Sequence, residues 1–140
     1  MSIEKFMAIF DGLKVAHGYF KIEKTGASGK AQGKAGVLRE PQTKKLWEDH
    51  LSGTGNGLGI IPINEENNCK WGCIDIDQYP LDHKLLVDKI RRMKLPLVVC
   101  RSKSGGAHCF LFTTAWTEAK DMQKALQAMA AGLGYGESEI

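Results

Sequence analysis

The sequence predicts an α+β fold, a mixed or antiparallel sheet with helices on its flanks. Two observations carry that expectation. Short apolar runs bounded by glycine, proline or asparagine, such as LGIIPI (58–63), LPLVVC (95–100) and HCFLFT (108–113), have the length of strands. Longer segments repeat apolar residues every three or four positions, above all LDHKLLVDKIRRMK (81–94), and have the period of helices. No internal repeat and no linker interrupts the alternation, so residues 1–140 read as one domain built around one sheet.

Taken in order, Ile3, Phe6, Met7 and Phe10 share a helical face, which predicts a short helix over residues 2–12. VAHGYFKI (15–22) reads as a strand. EKTGASGKAQGKAG follows, with four glycines and three lysines, Lys24, Lys30 and Lys34, and reads as a basic loop or hairpin tip. It lacks the spacing and hydroxyl of a phosphate-binding P-loop. Thr43 caps a helix that runs to Leu51, with Leu46, Trp47 and Leu51 inward. SGTGNGLG is not a dinucleotide fingerprint, because its glycines precede a strand instead of following one. It reads as a turn that lets backbone approach closely.

NEENN (64–68) is a hairpin-type connection into a strand over 70–77. The helix over 81–94 turns Leu81, Leu85, Leu86, Ile90 and Met93 to one face. Strands over 95–100 and 108–113 enclose the turn RSKSGGA. Thr117 caps a last helix with Met122, Ala125, Leu126, Met129 and Ala130 inward, before GLGYGESEI breaks it.

Hydrophobic residues make up 43% of the chain and charged ones 25%, which argues against global disorder, and no apolar run approaches the length of a membrane span. A net charge of +3 permits an anionic partner without requiring one. Cys69, Cys73, Cys100 and Cys109 lack the paired spacing of a zinc site and read as reduced, mostly buried thiols. The N-terminal residues carry acids and no cleavage pattern, so a cytoplasmic protein without a membrane partner is expected.

The chemistry concentrates in two places. In WGCIDIDQY (71–79), strand alternation puts Cys73, Asp75 and Asp77 on one face and Ile74 and Ile76 on the other. Two carboxylates roughly 6–7 Å apart at Cα repel unless something pairs with them. A hard divalent cation, Mg²⁺ or Mn²⁺, resolves that repulsion and binds phosphate oxygens as well. Taken alone, the pair reads equally well as solvated aspartates at a strand end.

CRSKSGGAHCF (100–110) adds Arg101, Lys103, Ser104, Gly105, Gly106 and His108 on one turn between strands. Cationic side chains, a hydroxyl and glycine amides suit phosphates, and His108 can donate to a phosphate oxygen. His108, Phe110 and Phe112 share a face. An acid pair beside a cationic turn is the minimum needed to handle a nucleoside triphosphate and its metal.

CIDIDQY, a helix, and then LPLVVCRSKSGGAHCFLF resemble the archaeo-eukaryotic primase superfamily, in the primase-polymerase form of phages, plasmids and conflict systems. WEDHLSGTGNGLGIIPI adds to the resemblance, which spans residues 46–140. It implies an N-terminal α/β unit joined to part of an RRM-like unit, from a longer chain. It implies a DNA-templated nucleotidyltransferase that makes primers or DNA by two-metal catalysis with Mg²⁺ or Mn²⁺.

Asp75 and Asp77 match the metal-binding motif. His108, with Arg101, Lys103 and Ser104, matches the motif that holds the triphosphate. Stricter members carry a serine two residues before the histidine; Gly106 stands there, so Ser104 or backbone amides of Gly105 and Gly106 take its place. A third acidic motif falls to Glu139, with Glu137 as the other candidate. The implied partners are single-stranded DNA template, nucleoside triphosphates, and a helicase or the remainder of a larger replication protein, in the cytoplasm of a bacterial or phage-infected cell. Lys24, Lys30 and Lys34, and Arg91 with Arg92, are candidates for template phosphates. The alternative class is a non-catalytic nucleic-acid-binding module, and a third reading is a sugar-nucleotide transferase.

Overall fold

The structure is a computed structural model that describes residues 2–26 and 31–140. The chain is α+β and divides into two units, residues 1–67 and 68–140, each with its own antiparallel sheet. The single sheet expected from the alternation of elements is therefore two.

In the first unit, α1 (Ile3–Ile9) is capped by Ser2, whose Oγ accepts from the Lys5 amide at 3.3 Å. Strands β1 (His17–Thr25), β2 (Ala31–Leu38) and β3 (Gly57–Gly59) pair in the order β2-β1-β3. β2 lies where the sequence read a loop. Its glycines depress strand propensity, yet they are what the pairing requires: a Cβ at Gly36 would stand 2.7 Å from the Tyr19 ring, and one at Gly33 2.1 Å from the Lys21 carbonyl. β3 stops at Gly59, short of the expected Ile63. Pro62 has no donor for a ladder, and the Ile61 carbonyl instead accepts from the Leu13 amide at 2.8 Å.

Helix α2 (Lys44–Ser52) is capped by Thr43, as its sequence predicts, and buries Trp47. Leu51 is exposed, not inward. Phe6 of α1 meets Trp47 edge-on, with ring centroids 6.2 Å apart.

The second unit runs β4 (Asn68–Ile76), α3 (His83–Arg92), β5 (Val98–Arg101), β6 (Ala107–Glu118) and α4 (Ala119–Leu133), followed by an isolated antiparallel bridge between Glu139 and Asp75. The sheet order is β5-β6-β4 with Glu139 on the open edge of β4. That is the βαββα order of ferredoxin-like and RRM-like folds, with the isolated Glu139 bridge on the edge where such folds place a further strand. Asn64 to Asn67 therefore joins two sheets and closes no hairpin.

Directly opposed residues of an antiparallel pair share a face. Ile74, Ile76, Ala107, Cys109 and Leu111 form the inner face and pack against Leu86 and Ile90 of α3 and Met122, Leu126, Ala130 and Leu133 of α4. Ile74 and Ile76 are fully buried, each worth about 1.5–3 kcal/mol of transfer free energy. Leu85 and Met93, expected inward, are exposed: Leu85 lies one position, about 100° around the helix, from the buried Leu86–Ile90 stripe, and Met93 is the C-cap residue past the last helical turn. Thr117 lies within β6 opposite Cys69, so it does not cap α4; Glu118 takes that place without a side-chain cap bond. Among the described residues no helix is long and apolar enough to cross a membrane.

Candidate functional site

The outer face of the second sheet gathers the chemistry. Register places Cys100 of β5 opposite His108 of β6, His108 opposite Asp75 of β4, and Asp75 opposite Glu139. These four residues form a row across the sheet. The next row holds Val98, Phe110 and Cys73. Phe110 stacks on Phe112 with centroids 5.9 Å apart and meets Trp71 at 6.1 Å and His108 at 6.0 Å.

Asp75 is held at backbone level from both sides: β6 flanks it, and its own amide donates to the Glu139 carbonyl at 2.8 Å. Its Oδ1 is buried and takes no hydrogen bond among the described residues. His108 Nε2 lies 3.5 Å from it, too long for a strong bond. The Asp75 side chain as a whole is 38% exposed, so the cost of the missing donor falls on Oδ1 alone, and a bound cation would remove it.

β4 ends at Ile76, so Asp77, expected within the strand, stands just past its end and is exposed. Both aspartates line a cleft of about 340 Å³ whose other wall is residues 134–139, with Tyr135, Glu137 and Glu139 among them. Among the described residues no group of three His, Cys, Asp or Glu side chains is arranged to hold a metal. A pair of carboxylates fits Mg²⁺ or Mn²⁺ that keeps waters and takes its remaining ligands from phosphates.

The turn between β5 and β6 is tightly specified. The Ser102 amide donates to the Gly106 carbonyl at 3.0 Å, and the Gly105 amide donates to the Ser102 carbonyl at 3.1 Å. The Gly105 amide is thus turned inward. Gly105 has φ +98°, a conformation that suits glycine. A Cβ at Gly106 would lie 2.2 Å from the Ile76 carbonyl oxygen, so glycine lets the turn close against the end of β4. His83, at the start of α3, donates from Nε2 to the Gly106 carbonyl at 2.8 Å; a carbonyl only accepts, which fixes the tautomer.

Tyr79 joins the two motifs. Its hydroxyl donates to Asp77 Oδ1 at 2.9 Å and lies 2.6 Å from Ser104 Oγ, which is 3.2 Å from Ser102 Oγ.

Asp75, Glu139 and His108 therefore come together on one face, and Asp77 and Ser104 come together through Tyr79. Lys103 is exposed on the same turn as Ser104. Arg101 is not on that face. Its register partner is Ala107, and it lines a second, open cleft of about 520 Å³ with His83 and Lys84. Lys24 and Lys34 lie exposed on the β1–β2 hairpin of the other unit, and Lys30 lies outside the described residues.

Sequence reasoning missed Tyr79, Ser102, His83 and Tyr135. Tyr79 follows Asp77 by two residues, as Asp77 follows Asp75, and Ser102 and Ser104 repeat that spacing. Those were the available signals. Nothing local marks His83.

All four cysteines are free; Cys69 and Cys109 are buried, Cys73 is half-buried and Cys100 exposed. Burial, with the Asp75 charge second, pushes the Cys73 thiol up to about 12, and burial pushes Cys109 up to about 11.

A family model described as the TOTE conflict system archaeo-eukaryotic primase domain matches residues 14–137. No curated protein matches the chain.

Proposed function

The chain belongs to the archaeo-eukaryotic primase domain family of TOTE conflict systems, a group within the primase-like nucleotidyltransferases, and on that footing we propose that it forms the catalytic region of a DNA-templated primase-polymerase. One observation supports this reading above the rest. The buried, unbonded Oδ1 of Asp75 sits in a row between His108 and Glu139, where a cation and a phosphate oxygen would meet.

In this reading Asp75 and Asp77 would hold one or two Mg²⁺ or Mn²⁺ ions, and Glu139, the third acidic candidate, lines the same cleft without joining them in a three-residue metal cluster. When bound, the cation supplies charge neutralisation at the α-phosphate and a lowered pKa for the attacking 3′-hydroxyl. His108 donates from its imidazole to a phosphate oxygen. Lys103 faces the β- and γ-phosphates and offsets charge on the departing pyrophosphate, while Ser104, bonded to Tyr79, fixes the shape of the turn beneath them. Arg101 acts from the neighbouring cleft, on a part of the substrate that extends past the end of β5. Template contact falls to the lysines of the β1–β2 hairpin.

Asp75→Ala and Asp77→Ala are expected to abolish templated nucleotide incorporation in Mn²⁺ or Mg²⁺, a loss of at least about a thousandfold, while circular dichroism stays that of the parent. Incorporation at the parent rate by either variant rejects the assignment.

A second reading, a nucleic-acid-binding module without catalysis, is favoured by the stacked Phe110–Phe112 pair on the same face. Metal-dependent triphosphate binding separates the two, since only the enzyme requires it.

A further inference from the structure

Tyr79 is 55% exposed, so water could satisfy its hydroxyl; instead it makes two bonds to protein. The direction of the protons along that chain follows from chemistry. A carboxylate has no hydrogen to give, so the Tyr79 hydroxyl donates to Asp77. Tyr79 has one hydrogen, so at 2.6 Å it must accept from Ser104. Ser104 in turn accepts from Ser102 across 3.2 Å. The hydroxyl chain Ser102, Ser104, Tyr79 thus ends on Asp77, with every hydrogen aimed toward the carboxylate.

Asp77 sits past the end of β4 with no ladder to hold it, and Ser104 sits at an exposed turn. Backbone bonds close the turn and Gly106 seats it against the end of β4, but they leave the Asp77 carboxylate and the Ser104 hydroxyl unlinked; the phenol links them.

We infer that Tyr79 is a positioning residue, whose hydroxyl holds the Asp77 carboxylate and the 102–106 turn in one relation, so that a divalent cation and a nucleotide's polyphosphate bind as a coupled pair. The inference rests on the nucleotidyltransferase reading and deepens it. A group shared by two subsites lets the first ligand meet the ordering cost of the second, and the coupling is reciprocal.

The test uses the full chain and a non-hydrolysable nucleoside triphosphate, with binding measured by equilibrium dialysis in EDTA and again in saturating Mn²⁺. The ratio of the two affinities reads the coupling. Tyr79→Phe keeps the ring and removes the hydroxyl. It is expected to lower that ratio about fivefold while affinity in EDTA stays within about twofold and the melting temperature is unchanged. Ser104→Ala is expected to lower the ratio by the same amount, and the double variant no further, because both break one chain. A ratio left whole by Tyr79→Phe, or additive losses in the double variant, overturns the inference. If the parent itself shows no Mn²⁺-dependent binding, the nucleotidyltransferase reading falls and the coupling with it. If the parent shows it and Tyr79→Phe matches the parent, only the role of Tyr79 falls.

Discussion

At Cys73 one thiol reports on the face that carries Asp75. Its acidity is suppressed mainly by burial and next by the neighbouring carboxylate, to about 12 against an ordinary 9.0. A thiol whose folded pKa is raised adds stability that is complete below the unfolded value and is lost as pH climbs through the folded one. Melting temperature is therefore expected to hold up to about pH 9 and to fall between there and pH 12, with Cys109 contributing to the same decline. At pH 8, iodoacetamide should modify exposed Cys100 well before Cys73 or Cys109, read by peptide mass spectrometry; equal rates at the three would contradict the burial that sets their acidity. At this scale the sequence made Asp75 and His108 legible, because alternation along a strand is a local rule. It hid His83 and Ser102, because their partners lie across a turn whose closure depends on Gly106 meeting the end of β4.

Among the elements, α4 was read most fully. Its apolar spacing matched the buried set Met122, Leu126 and Ala130. Leu126 is fully buried, and its Cδ1 fills the place where a Cβ at Gly72 of β4 would stand, 2.6 Å away. Leu126→Ala is expected to cost about 2–5 kcal/mol in urea unfolding, since the side chain packs on the backbone of a strand that cannot collapse into the space. A loss under 1 kcal/mol would mean that the helix repacks. α3 and α2 were over-read: Leu85, Met93 and Leu51 carry the helical period but face solvent. A period says which side of a helix is apolar, while the width of the surface beneath decides how much of that side is covered. β2 was under-read for the opposite reason. Its glycines look like loop residues until the rings of Tyr19 and Phe20 on the neighbouring strand are in view.

For the whole molecule, the division into two units left no trace in composition. Residues 64–67 carry no proline or glycine and resemble any short turn, and sheet membership is decided by long-range pairing that no local window contains. The family match spans both units, and it implies DNA and nucleotide binding for the chain as a whole. Charge offers a way to separate these two activities, since Lys24 and Lys34 lie in the first unit and the carboxylate row in the second. If the hairpin lysines meet template phosphates, a Lys24→Glu, Lys34→Glu double variant should reduce the slope of log affinity for single-stranded DNA against log salt by about 1.4. Triphosphate affinity should not change. An unaltered slope would make those lysines a solvated surface only.

Ile74 and Ile76 are sealed from solvent, yet they set the address of Asp75, which lies between them on the opposite side of β4. Moving that strand by a single position against β6 would drive the Asp75 carboxylate into the oily layer and expel two branched side chains into water. The greasy side of the ribbon therefore works as a pawl, permitting one alignment and blocking the next notch. Precision at the wet surface is inherited from tight packing on the dry one.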